Sequence, residues 1–183
     1  ARIAPHIVRT PLLRVPALDE ALGCQVYLKH EGFQTIGAFK LRGALNKALS
    51  LSEEELGRGL VCASSGNHAQ GVAYAAHKLG AQAVIVMPTN ANPVKLAGVK
   101  RWGGQVELVG TLSSQREERA AQLVRERGMV EIHPYADPLV AAGQGTLALE
   151  VLEDLPDASL IAAPIGGGGL ISGIATAVKG AAP

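Results

Sequence analysis

Residues 60–87 read LVCASSGNHAQGVAYAAHKLGAQAVIVM, and this stretch decides the fold. Leu60–Ala63 is a short apolar run, the length of a strand buried on both faces. A polar turn, Ser64-Ser65-Gly66-Asn67, follows at once. From about His68 to Leu79 the pattern is helical, and it stops at Gly80, a residue suited to a helix C-cap. Gln82–Met87 is then a second, β-branched run. Strand, helix and strand in direct succession make a βαβ unit, whose two strands run parallel with a right-handed crossover.

The same alternation extends outward in both directions. Further strands are predicted at Cys24–His30, Gln105–Val109, Met129–His133 and Leu160–Ile165. Helices are predicted at Lys40–Leu49, Val94–Trp102, Ser113–Arg127, about Thr146–Leu155, and about Leu170–Val178. In the first of these, Leu41, Ala44, Leu45, Ala48 and Leu49 share one face. The expected fold class is α/β, with parallel sheets flanked by helices on both faces. Such sheets bind ligands beyond the carboxyl ends of their strands, so the strand-to-helix turns are the places to search.

Composition excludes several other classes. The chain has 183 residues, 48% of them hydrophobic, which suffices for one good core or two small lobes and excludes a disordered chain. No apolar run approaches the roughly 20 residues needed to span a bilayer. A net charge of +1 and 3% aromatic residues give no footing for nucleic acid or a membrane surface. The histidines have no metal-ligand spacing, so no metal site is expected. Cys24 and Cys62 form no Cys-x-x-Cys motif, and a reduced, cytoplasmic setting is expected.

Two turns and one lysine stand out chemically. Ser64-Ser65-Gly66-Asn67-His68 places two hydroxyls, an amide and free backbone N–H groups at a helix start, a natural site for a carboxylate or phosphate. Ser65 or Asn67 could equally be a plain N-cap. The second turn, Gly166-Gly167-Gly168-Gly169-Leu170, joins the last predicted strand to the last helix. Four successive glycines are entropically costly, and they suit backbone wrapped closely around an anion. Ile171 or Ser172 stands where a Gly-x-Gly-x-x-Gly motif needs its third glycine, and Ile174 where a P-loop needs its lysine, so neither nucleotide fingerprint is present. Lys40 lies between Phe39 and Leu41 in a glycine-flanked stretch, IGAFKLRG (36–43). An amine desolvated there loses its proton more easily and becomes a nucleophile. A nucleophilic amine and a separate phosphate cradle, without a nucleotide motif, point to pyridoxal phosphate.

Six stretches then carry a resemblance in order along the chain: RTPLL (9–13), YLKHEGFQTIGAFKLRGA (27–44), ASSGNHAQGVAYAA (63–76), VIVMP (84–88), HPYADPLVAAGQGTLALE (133–150) and PIGGGGLISGIATAVK (164–179). The sequence resembles the serine/threonine dehydratase and serine racemase family of fold-type II pyridoxal-phosphate enzymes, whose fold is like that of the tryptophan synthase β-subunit. The resemblance implies that Lys40 is the Schiff-base and catalytic lysine, with Phe39 beside the cofactor ring. It implies that Asn67 contacts the ring oxygen and that Gly166, Gly167, Gly168, Gly169 and Leu170 bind the phosphate. Ser64, Ser65, Asn67 and His68 then receive the substrate carboxylate, and Ser65 matches the acid/base serine of racemases.

The implied reaction is dehydration and deamination of L-threonine or L-serine to a 2-oxo acid and ammonia. Serine racemisation, or a truncated fragment that binds pyridoxal phosphate without catalysis, are the alternatives. β-Replacement is disfavoured, because such relatives have Thr-Gly after the asparagine where this chain has His68-Ala69. The resemblance further implies a small-molecule amino-acid substrate, a homo-oligomer, and a place in amino-acid metabolism such as isoleucine biosynthesis. Two lobes are expected: residues 45–142 as the small substrate lobe, and 1–44 with 143–183 as an incomplete large cofactor lobe. The chain is thus expected to be an N-terminal portion. It departs from the family at Ala38, where a serine is usual, and at Tyr135-Ala136, where Phe-Asp is usual.

Overall fold

The βαβ unit of residues 60–87 forms the centre of a four-stranded sheet in the computed structural model, which describes residues 2–181. In chain order the elements are β1 (Leu12–Arg14), α1 (Pro16–Leu22), β2 (Tyr27–Lys29), α2 (Lys40–Ala48), α3 (Glu53–Arg58), β3 (Leu60–Ala63) and α4 (Asn67–Lys78). They continue as β4 (Ala83–Met87), α5 (Pro93–Arg101), β5 (Gln105–Leu108), α6 (Ser113–Arg127), β6 (Val130–Glu131), α7 (Pro138–Asp154) and α8 (Gly169–Ala181).

The sheet runs in the order β5-β4-β3-β6 and every pair is parallel, with Leu60 opposite Ala83 and Val61 opposite Glu131. Its two faces explain the apolar runs. Leu60, Cys62, Ile85 and Met87 share one core with α2 and α4 residues such as Leu45, Val72 and Ala76. Val61, Val84 and Val86, pointing the other way, pack with Ala120 and Leu123 of α6. Because alternate side chains leave opposite faces, β3 and β4 need apolar residues at every position.

The sequence-based expectations fail in three places. β1 and β2 pair antiparallel, as a short separate ribbon with Leu13 opposite Leu28. Leu160–Ile165 is not a strand: it has no ladder partner among the described residues, and Leu160 is 84% exposed and Ile165 72%. An apolar, β-branched run becomes a strand only when a neighbouring strand accepts its hydrogen bonds. Helix α7 begins at Pro138, eight residues ahead of the expected Thr146, because Asp137 caps it by accepting from the N–H groups of Leu139 and Val140. The last two residues of the expected large lobe, Ala182 and Pro183, lie outside the described residues.

Helices α2, α7 and α8 pack side by side at glycines. A Cβ on Gly143 would stand 2.5 Å from the Arg42 carbonyl oxygen, and one on Gly145 would stand 2.6 Å from the Gly173 carbonyl oxygen. This close approach brings the first residue of α2, Lys40, near the first residue of α8, Gly169. Charge pins the same arrangement. Arg42 is fully buried and is bound by both carboxylate oxygens of Glu31 and both of Glu150, at 2.6–2.9 Å. Lys29 adds a 2.7 Å ion pair to Glu150. Burial would lower the Arg42 pKa, but its hydrogen bonds to Glu31 and Glu150 raise it above the ordinary value.

Candidate active site

Lys40 is the first residue of α2 and is half-buried. Its Nζ donates a 2.8 Å hydrogen bond to the Pro134 carbonyl and lies 5.4 Å from the centre of the Phe39 ring. Burial pushes its pKa below the ordinary lysine value. The amine opens onto a cleft of about 170 Å³ lined by Phe39, Lys40, Tyr135, Pro164 and Gly166–Leu170. The structure thus joins Lys40 to the glycine turn across more than 120 residues of chain.

The glycines have separate reasons. Gly168 has φ of 88°, in the left-handed region that other residues avoid. Gly167 lies so close to Tyr135 that a Cβ would run into the tyrosine ring, and a Cβ on Gly169 would stand 2.9 Å from the Tyr135 Cα. Tyr135 itself is oriented by the preceding histidine: the His133 ring accepts from the N–H groups of Tyr135 and Ala136 and packs edge-on against the Tyr135 ring, 4.6 Å between centres. One turn, His133–Ala136, therefore both holds the Lys40 amine and braces the glycine loop. Reading by motif noted Tyr135 only as an unusual residue and missed the Pro134 carbonyl, which no side-chain pattern reveals.

The Ser64–His68 turn leaves the carboxyl end of β3 and opens α4. It does not line the cleft. Neither Ser65 nor Asn67 caps the helix: Gly66 is the N-cap and no side chain bonds to the first turn, which leaves backbone N–H groups available to a ligand. His68 is 2% exposed and its Nε2 lies 2.6 Å from the Ile132 carbonyl oxygen. A carbonyl only accepts, so Nε2 carries the proton and Nδ1 is an acceptor. Burial pushes the His68 pKa down to about 4, and the nearby Lys40 and His133 add to that shift. The β6 tail thus ties the turn to the cleft, with His68 bound at Ile132 and Lys40 at Pro134.

The sequence profile of the pyridoxal-phosphate dependent enzymes matches residues 3–183. The chain belongs to the pyridoxal-phosphate dependent enzyme family. Within it, the chain is 49% identical over 175 residues to an L-threonine ammonia-lyase of Thermotoga maritima, covering 96% of this chain and 44% of that protein. It is 44% identical over 183 residues to a serine racemase of Oryza sativa subsp. indica, covering all of this chain and 54% of the racemase. Among solved structures, maize serine racemase superposes with a TM-score of 0.97 at 43% identity, over 100% of this chain and 55% of that one. The chain spans about half the length of the curated relatives it matches. This family likeness covers the parallel α/β sheet and its flanking helices. No helix among the described residues is long and apolar enough to cross a membrane.

Proposed function

We propose that these residues belong to a pyridoxal-phosphate-dependent ammonia-lyase that converts L-threonine, and L-serine, to a 2-oxo acid and ammonia. The observation that carries this reading is that the half-buried Lys40 and four consecutive glycines line one cleft. The site fits the cofactor at both ends. A depressed pKa leaves more of the amine neutral, the form that attacks an aldehyde. A loop at a helix start, where a side chain on Gly167 would strike Tyr135, fits a phosphate held by backbone N–H groups. In this reading Gly166–Gly169 and Leu170 hold the phosphate, Phe39 lies along the ring, and Asn67 reaches the ring oxygen.

When bound, the cofactor supplies an electron sink for the charge left at the substrate Cα. The remaining work falls to the chain. The uncapped turn of Ser64, Ser65, Asn67 and His68 receives the substrate carboxylate and so orients the Cα–H bond. The Lys40 amine takes up the Cα proton. As a donor to the Pro134 carbonyl it keeps its lone pair free for that proton. Loss of the β-hydroxyl and hydrolysis then release the 2-oxo acid and ammonia. We assign residues 45–142 to a substrate lobe, and 1–44 with 143–183 to part of a cofactor lobe. Lys40 and the glycine loop then share one lobe and the Ser64–His68 turn belongs to the other.

A second reading, serine racemisation, is favoured by one observation: the Ser65 hydroxyl caps no helix and is available for proton transfer. Both are tested by loading the protein with pyridoxal phosphate, reducing with borohydride and mapping the labelled peptide, then assaying products from L-threonine and L-serine. A label on Lys40 with 2-oxo acid and ammonia is the expected result. A label on another lysine sinks the assignment. D-Serine as the main product selects the racemase, and a Lys40 label with no product at all leaves a non-catalytic cofactor-binding protein.

A further inference from the structure

The turn at residues 133–136 is anchored on both sides by contacts to other elements. Ahead of it, His68 of α4 binds the Ile132 carbonyl. Behind it, Asp137 caps α7 and forms a 3.0 Å ion pair with Lys47 of α2. Between these anchors the backbone has no ladder. Pro134 has no N–H to donate. The N–H groups of Tyr135 and Ala136 both donate to Nδ1 of His133, at 3.2 and 2.8 Å. Among the described residues no backbone carbonyl accepts from either. Nδ1 is thus the acceptor, and the proton of the neutral ring sits on Nε2.

The amine and the glycine loop depend on this ring by separate routes. The Pro134 carbonyl, inside the turn, accepts from Lys40 Nζ at 2.8 Å. Tyr135, the next residue, places its ring where a Cβ on Gly167 would stand, and its Cα lies 2.9 Å from the place of a Cβ on Gly169. The His133 ring meets the Tyr135 ring edge-on, 4.6 Å between centres. The glycine loop has little other support. Gly166 and Gly167 are exposed, and neither makes a backbone hydrogen bond. Successive glycines sample many backbone conformations, and Tyr135 removes those that cross its ring.

We infer that His133 is a positioning residue for cofactor capture, whose neutral ring sets the Lys40 amine and the glycine loop together. The inference rests on the cofactor reading proposed above and adds to it a residue that does not line the cleft.

The test separates the acceptor from the ring. His133→Asn keeps an oxygen that reaches the same N–H groups. His133→Phe keeps a ring against Tyr135 without an acceptor, and His133→Ala lacks both. Three probes are titrated into the full chain. Pyridoxal reports on the amine through its absorbance, inorganic phosphate on the loop through the Gly167 and Gly169 amide signals, and pyridoxal phosphate on both. His133→Phe and His133→Ala should each weaken pyridoxal and phosphate about tenfold, the size of two lost neutral hydrogen bonds. Pyridoxal phosphate should weaken by about the product of the two losses. His133→Asn should stay within about threefold of the unaltered chain for every probe, since its hydrogen bonds remain. A ligand-free arm measures backbone order at Tyr135, Gly167 and Gly169 by amide relaxation; order should fall in His133→Phe and hold in His133→Asn. Losses in His133→Asn equal to those in His133→Phe, or a loss for pyridoxal or phosphate alone, overturn the inference. If neither pyridoxal nor pyridoxal phosphate loads the unaltered chain, the function proposed above fails, and unchanged order in His133→Phe overturns this inference separately.

Discussion

The Lys40 Nζ donates a 2.8 Å hydrogen bond to the carbonyl oxygen of Pro134, 94 residues away in sequence. That bond joins the start of α2 to the turn whose next residue, Tyr135, packs on Gly167 and Gly169. The Lys40 amine and the glycine turn are therefore held by one short segment.

Because burial lowers the Lys40 pKa, its capture by pyridoxal phosphate should rise with pH through a midpoint below 10.5, the ordinary lysine value. The folded chain gives up this proton more readily than the unfolded chain. Between the lowered pKa and 10.5, stability from this group therefore increases with pH. Borohydride trapping at a series of pH values measures the midpoint, and one at the free-lysine value contradicts a desolvated amine.

Gly167→Ala should weaken cofactor uptake by about tenfold, the size of a mild overpacking penalty, because the new methyl runs into Tyr135. The exposed loop contributes little to the core, so the urea midpoint should stay put. Adding Tyr135→Ala to Gly167→Ala should restore part of the affinity, as read by equilibrium titration with pyridoxal phosphate. No restoration would show that the clash is not the cause.

Arg42→Met should destabilise the fold by about 3–5 kcal/mol, the cost of leaving buried charges unpaired. Glu31 and Glu150 would both lose a bidentate partner, leaving Lys29 beside Glu150 and only the Thr10 hydroxyl beside Glu31. Urea unfolding of the variant measures the loss. A change below about 1 kcal/mol, the range of exposed pairs, would mean that water reaches the cluster.

His68 makes the protein acid-sensitive. Its folded pKa, pushed down to about 4, lies below the ordinary 6.5, so the unfolded chain takes up a proton that the folded chain refuses. The stability tied to the neutral ring is complete above pH 6.5 and is lost as the pH falls toward 4, a swing on the order of 3 kcal/mol. Urea unfolding between pH 4 and 7 should show this slope, and His68→Gln should flatten it.

Elements whose signals are local were legible in the sequence. Strand β3 and helix α6 match their expected bounds residue for residue, and β4 differs by one residue at its start. Apolar periodicity, a polar turn and a terminal glycine suffice for these, and each is encoded within a few residues. Lys40 and the four glycines were legible for the same reason. Helix α7 was legible only from Thr146 onward; ahead of that point, Gly143 and Gly145 are where α2 and α8 each pack closely on α7. Leu160–Ile165 has strand composition and no strand partner, which no local pattern reports.

By itself, then, the sequence determined the alternation of strand and helix and marked the glycine-flanked lysine and the glycine turn, since these depend on residue type and near spacing. Tertiary structure alone decided that Lys40 rests on Pro134, that Arg42 is buried between Glu31 and Glu150, and that Tyr135 packs against Gly167. Burial and pairing are properties of what surrounds a side chain, and those surroundings come from residues far apart along the chain.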